Sequence, residues 1–210
     1  DGGIVAVKGL GGFQLWCDAA SETAVQRLRD RKQRPHKPFA VLFPSLDALR
    51  SMCAVSEAEQ ALLPSPQAPI VLLRRLPGAS LADAVAPDNP YVGALLPSTP
   101  LHHLLMDRWQ GPMVATSGNR SEEPIVIDER EALVRLGGIA DGFLAHDRPI
   151  ARPVDDSVLR VAGTTVQMMR RARGYAPTPI RLTEALPQGR SLPPILAVGW
   201  RDDKDRNRSA

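Results

Sequence analysis

Arg31-Lys32-Gln33-Arg34-Pro35-His36-Lys37-Pro38-Phe39-Ala40-Val41-Leu42-Phe43 joins a basic helix end to an uninterrupted apolar run. Residues 39–43 are too few and too apolar for a surface helix and read as a buried-type strand. A second junction of this kind lies far downstream, where a strand at 113–115 runs into Ala115-Thr116-Ser117-Gly118-Asn119. Burying Arg31, Lys32, Arg34 and Lys37 together would require anions to pair with them, so they are read as exposed. The Thr-Ser-Gly-Asn turn offers hydroxyls, an amide and backbone N–H groups that suit phosphate oxygens. The two junctions together point to a polyanion site, best filled by a nucleoside triphosphate.

Outward from this pair, strands and helices alternate. Ser21 caps a helix running to about Lys32, with Ala24, Val25 and Leu28 inward. Residues 2–7 form a strand before it, followed by the glycine-rich Gly9-Leu10-Gly11-Gly12, which taken alone is a tight turn. Ser45 starts a short helix, and Ser56-Glu57-Ala58-Glu59 has capping-box spacing for another that Pro64 ends. Strands follow at 70–73 and 92–95. Thr99 with Pro100 opens a helix to about Arg108, and Asp128 caps one more. The last strands are 143–146, 158–161 and 165–170, the final two joined at Gly163 with no helix between them. This order predicts an α/β fold with a twisted mixed sheet flanked by helices. Residues 1–179 read as one domain and 180–194 as a proline-rich linker. Residues 195–210 read as the vestige of a following domain, with a strand start at 195–198 and a charged, disordered tail.

With 43% hydrophobic residues in 210, the chain can bury a proper core. Its net charge of +3 is too small for a dedicated nucleic-acid binder. Cys17 and Cys53 have no metal-like spacing to the four histidines and read as buried thiols. No apolar stretch is long enough to span a bilayer and no signal peptide opens the chain, so a cytoplasmic protein is expected, excised from something longer because it starts at Asp1.

Arg27 to Lys32 fit a helix end, where positive charge favours the dipole. Arg34 and Lys37 alternate with prolines that hold the backbone extended, which favours a functional role for Lys32 and Arg34. Of His102 and His103, one packs and the other is solvated, since neighbours on a helix do not share a face. Asp155-Asp156-Ser157 either holds magnesium or orients neighbouring arginines. Arg170-Arg171-Ala172-Arg173-Gly174-Tyr175 suits a basic strand end facing the same pocket or a nucleic acid. No nucleophile elbow or zinc-ligand spacing stands out. Positioning and charge neutralisation are therefore expected to drive the reaction.

Val7-Lys8-Gly9-Leu10-Gly11-Gly12-Phe13, the Arg31–Val41 stretch, Leu96-Pro97-Ser98-Thr99-Pro100-Leu101-His102-His103, Ala115–Asn119 and Arg170–Pro177 occur in this order. That series resembles the YrdC-like domains of HypF-type hydrogenase-maturation carbamoyltransferases, within the YrdC/Sua5 family. The resemblance implies a YrdC-like fold whose concave basic face binds ATP with Mg²⁺. It implies carbamoyl-adenylate formation from ATP and carbamate derived from carbamoyl phosphate, with Lys32, Arg34, Ser117 and Asn119 as catalytic residues. Lys8, Lys37, Thr99, Thr116, Ser157, Arg170 and Arg173 would bind the nucleotide, with no permanent metal ligand. HypE would be the acceptor protein in the full-length context. The next domain of that family should open on a strand and Gly-Gly, whereas this chain has Val198-Gly199-Trp200-Arg201, so onward transfer is not expected of it. Two alternatives remain: a threonylcarbamoyl-adenylate synthase for tRNA modification, and a noncatalytic module binding double-stranded RNA. Replacing Lys32 or Arg34 should abolish adenylate formation with little loss of stability, because exposed cations contribute little to folding.

Overall fold

The computed structural model describes residues 2–120 and 123–179; the linker, strand and tail expected at 180–210 lie outside the described residues. Two hydrophobic clusters, one on each side of a single mixed sheet, hold the fold together. The strands are β1 (Val5–Lys8), β2 (Phe13–Asp18), β3 (Ala40–Leu42), β4 (Cys53–Ala54), β5 (Ile70–Arg75), β6 (Tyr91–Leu95), β7 (Met113–Ser117), β8 (Gly142–Leu144), β9 (Val158–Ala162) and β10 (Thr165–Arg170). They lie in the order β10-β9-β5-β6-β3-β7-β2-β1-β8, with the short β4 paired to β5. Pairs β3–β6, β5–β9 and β1–β8 are parallel and the rest antiparallel, as the alternation of helical and direct connections predicts.

The helices are α1 (Glu22–Lys32), α2 (Leu46–Arg50), α3 (Glu57–Leu62), α4 (Pro100–Trp109) and α5 (Glu129–Leu136). Each starts where a side chain satisfies an otherwise orphaned N–H: Ser21, Ser45, Ser56, Thr99 and Asp128 all accept from the first turn. The capping box at Ser56 and Glu59 is present in both directions.

The sequence reading has no counterpart for β2. Its residues alternate, with Phe13, Leu15 and Cys17 in the larger cluster and Trp16 in the smaller one on the opposite face. The glycine-rich stretch is the loop of the β1–β2 hairpin, closed by Gly9 N–H donating to the Gly12 carbonyl at 3.0 Å. Gly11 also permits a close approach, since a Cβ there would stand 2.3 Å from the Val154 carbonyl oxygen.

Helix α1 and the 3-10 turn at Asp83–Val85 pack on the larger cluster, with Val25 and Leu28 fully buried. On the opposite face α4 covers only part of the sheet, through Met106, Leu101 and Leu105 against Trp16, Leu42 and Leu95. The remainder of that face is open and forms the floor of a cavity.

Candidate active site

Ala40, Leu72, Gly93 and Ala115 lie across the exposed part of this face and line a cavity of about 810 Å³. Gly93 pairs with Ala40 on one side and Leu72 on the other. A Cβ at Gly93 would reach 2.9 Å from Ile70 Cγ2, so small residues keep this part of the sheet low. The hollow thus comes from side-chain size at the centre of the sheet, while the charged groups stand around its rim.

One wall grows from the end of α1. Gln33 takes a left-handed conformation at the helix C-cap, and its N–H satisfies the Arg29 and Asp30 carbonyls. The following residues bend around Arg29, whose guanidinium is almost fully buried. Arg29 donates to the carbonyls of Arg34 at 2.7 Å, Pro35 at 3.2 Å and Lys37 at 3.2 Å. It also reaches those of Ala84 and Val85. Its guanidinium carbon lies 4.5 Å from the Phe39 ring centroid, and that of Arg34 lies 5.0 Å from it. Arg34 donates to the Pro38 carbonyl at 2.7 Å and to Thr116 Oγ1 at 3.3 Å. Burial, with help from the Arg29 and Arg170 charges, lowers its pKa to about 10, so it stays cationic at neutral pH.

Lys32 departs from the expectation of an exposed cation. It is 1% exposed, and its ammonium donates to the carbonyls of Ser117 and Asn119 and, at 2.9 Å, to Asn119 Oδ1. Its place on the inner stripe of α1, with Val25 and Leu28, drives it under the β7 turn. Backbone and amide oxygens offset part of the cost of burying the charge.

The β7 turn is likewise more internally satisfied than expected. Ser117 Oγ lies 2.6 Å from Asn119 Oδ1, and Asn119 Nδ2 donates to the Glu123 carbonyl. The Gly118 N–H donates to the Phe13 carbonyl and the Asn119 N–H to the Ser117 carbonyl. The N–H groups of Gly118 and Asn119 therefore hold the turn in shape instead of facing outward.

The other wall comes from β9, β10 and their flanks. Arg170 pairs with Asp155 at 3.3 Å, and Arg173 pairs with Asp156 at 2.9 Å. These contacts favour the arginine-orienting reading of the two acids. No group of three His, Cys, Asp or Glu side chains among the described residues could hold a metal. Arg173 also reaches the Ala68 carbonyl at 3.0 Å.

Lys32, Arg34, Lys37, Thr99, Thr116 and Ser117 all line the cavity, as do Asn119, Arg170 and Arg173. Thr99 also caps α4, its Oγ1 accepting from the His102 N–H at 3.1 Å.

Two expected nucleotide-binding residues do not line it. Lys8 is buried beneath the hairpin, donating to Glu129 and, at 2.9 Å, to the His146 carbonyl. It sits on the strand face turned from the cavity and ties β1 to α5. Ser157 is buried as well; its hydroxyl donates to the Arg173 carbonyl at 2.9 Å and accepts from Ala172 N–H at 2.8 Å. It positions the arginine segment from behind.

Sequence reasoning missed Arg29, Arg120 and Tyr91. Arg29 has a readable signal, four residues beyond buried Val25 on the same helix face. Tyr91, an aromatic at the exposed start of β6, and Arg120, directly after the turn, become cavity residues only through sheet pairing.

The family model for Sua5, YciO and YrdC, described as telomere recombination, matches residues 1–172. Carbamoyltransferase HypF of Synechocystis sp. is 52% identical over 181 residues, 86% of this chain and 24% of the relative. A crystal structure of full-length HypF in a phosphate- and nucleotide-bound form superposes with a TM-score of 0.82 at 47% identity, over 85% of this chain and 28% of that one. The chain thus spans about a quarter of the HypF proteins it matches. Threonylcarbamoyl-AMP synthase of Stenotrophomonas maltophilia is 30% identical over 172 residues, 76% of this chain and 91% of the relative. The sheet order, the basic cavity on its open face and a family match running from the first residue to Ala172 agree, and the chain belongs to the Sua5/YciO/YrdC family.

Proposed function

We propose that this chain forms carbamoyl-adenylate from ATP and carbamate, releasing pyrophosphate, as one step of carbamoyl transfer in nickel–iron hydrogenase maturation. The observation that carries this reading is the convergence of Arg34, Arg120, Arg170 and Arg173 on one cavity whose β7 turn is held from below by Lys32. A volume of about 810 Å³ suits a nucleoside triphosphate with a small co-substrate. The high identity to HypF proteins and the nucleotide bound in one of them support the same assignment.

In this reaction a carbamate oxygen attacks the α-phosphorus, and the bond from that phosphorus to the bridging oxygen of the β-phosphate breaks. Pyrophosphate leaves with the electron pair, and no proton has to move. The barrier lies in bringing two anions together, which the arginines lower by neutralising the phosphates. Lys32 fixes Ser117 and Asn119, so the turn meets the α-phosphate in one arrangement. Asp155 and Asp156 are committed to arginines, so Mg²⁺ does not fit a protein site here and would be held by the nucleotide itself. Transfer to an acceptor such as HypE would fall to the parts of a full-length HypF beyond the stretch this chain matches. Residence in the cytoplasm follows from the need for ATP; among the described residues no helix is long and apolar enough to cross a membrane.

The second reading, threonylcarbamoyl-adenylate synthesis, is favoured by a relative that this chain covers almost completely. ATP–pyrophosphate exchange separates the two. Exchange with ammonium bicarbonate alone is the expected result, and exchange that requires threonine would transfer the chain to the tRNA-modifying branch. RNA binding that is steeply salt-dependent and indifferent to ATP, without any exchange, would replace both readings.

A further inference from the structure

His102 is 7% exposed, and its Nδ1 is fully buried with no hydrogen-bond partner. The ring packs against Trp16, with centroids 5.5 Å apart, and the residue lines the cavity. Among the described residues Nε2 makes no hydrogen bond either, yet it is not among the fully buried polar atoms. The imidazole therefore turns Nε2 towards the cavity and Nδ1 into the apolar cluster.

This placement decides the tautomer. A neutral imidazole has one N–H, and putting it on Nδ1 would bury an unpaired donor, the costlier of the two arrangements. The proton belongs on Nε2. Burial pushes the pKa of His102 down to about 4; the facing Asp156 raises it, while Arg173 and the adjacent His103 lower it. His102 is also the third residue of the ten-residue α4, where the helix dipole opposes a positive charge.

We propose that His102 is a specificity-determining residue that donates from Nε2 to the uncharged carbonyl oxygen of the carbamoyl group. This inference rests on the adenylate reading given above. The phosphates have Arg34, Arg120, Arg170 and Arg173 to bind them, and a group held neutral beside an apolar wall adds little for an anion. A carbonyl oxygen is the acceptor such a group matches. A neutral imidazole in the first turn of a helix is an established means of polarising a carbonyl.

Two stable monoanionic ligands isolate the carbamoyl contribution: 5′-O-(N-carbamoylsulfamoyl)adenosine carries the group, and the methyl ester of adenosine 5′-monophosphate lacks it. Calorimetric titration of the unaltered chain should show about tenfold tighter binding of the carbamoylated compound, the worth of one buried hydrogen bond. His102→Phe keeps the packing on Trp16 and should erase that preference. His102→Gln, whose amide nitrogen reaches the Nε2 position, should restore most of it. If Phe prevents folding, His102→Asn takes its place, since its amide reaches only as far as Nδ1. A preference that survives loss of the donor overturns the proposal, as does an equal loss of affinity for both ligands, which would turn His102 towards the nucleoside. Binding of both compounds without preference by the unaltered chain overturns this inference alone. Binding of neither overturns the adenylate reading with it.

Discussion

The two walls of the cavity are both rich in cations and are built on opposite principles. At the end of α1, Arg29 and Lys32 are buried at 2% and 1% exposure and spend their donors on backbone and amide oxygens. At β9 and β10, Arg170 and Arg173 remain partly exposed and face carboxylates. A buried cation holding carbonyl oxygens cannot leave without stranding them, so the first wall is architecture. A salt bridge that keeps solvent contact is worth less to folding than a sealed one and can be exchanged for a bond to an incoming anion. The same residue types thus shape one wall and furnish the other with charge available to a ligand.

Removing a cation from each wall in turn breaks this contrast if it is wrong. Lys32→Ala should have the largest effect, destabilising the chain by about 3 kcal/mol in urea denaturation because the oxygens of Ser117 and Asn119 lose a charged donor. Pyrophosphate exchange should disappear with it. A stability loss within error would mean that water replaces the ammonium and that the turn is exposed.

The next effect is one of pH, at the edge of the second wall. The folded-state pKa of His102 is about 4, below the ordinary value of 6.5, so the unfolded chain binds the extra proton. Stability is therefore full above pH 6.5 and declines as pH falls towards 4, by about 2 kcal/mol between pH 7 and pH 5. Urea midpoints for the unaltered chain and His102→Gln at the two pH values test it, and the variant should lose that share of the slope. Asp156, Arg173 and His103 all act on the imidazole, and an unchanged slope would mean that their fields outweigh its burial.

Arg173→Ala should have the smallest effect on stability, below about 1 kcal/mol, because its pair with Asp156 retains solvent contact. Its consequence should appear in binding instead: at least tenfold weaker ATP affinity at low salt, narrowing as salt is raised. A large loss of stability with unchanged affinity would make both walls architectural.

Much of the fold was legible because its signals are local. Among the described residues, capping side chains at Ser21, Ser45, Ser56, Thr99 and Asp128 marked all five α-helix starts, and apolar runs marked most strands. Strand β2 was hidden because the glycines before it and the polar Gln14 and Asp18 within it dilute its alternation. Lys32, Arg34, Ser117 and Asn119, singled out from residue chemistry, the flanking prolines and the family resemblance, line the cavity. Lys8 and Ser157 were misplaced for an equally definite reason: a lysine or serine at a strand end has two faces to choose from, and sheet pairing makes the choice.

By itself the sequence determined the alternation of elements, the family motifs and the cationic character of the site, since these follow from short-range periodicity and residue chemistry. Tertiary structure alone decided which cations are buried, which carboxylates orient which arginines, and that the imidazole of His102 stands at the cavity with one nitrogen sealed behind it. Charge and hydrogen-bonding capacity belong to a residue wherever it lies, but desolvation depends on what the rest of the chain stacks around it.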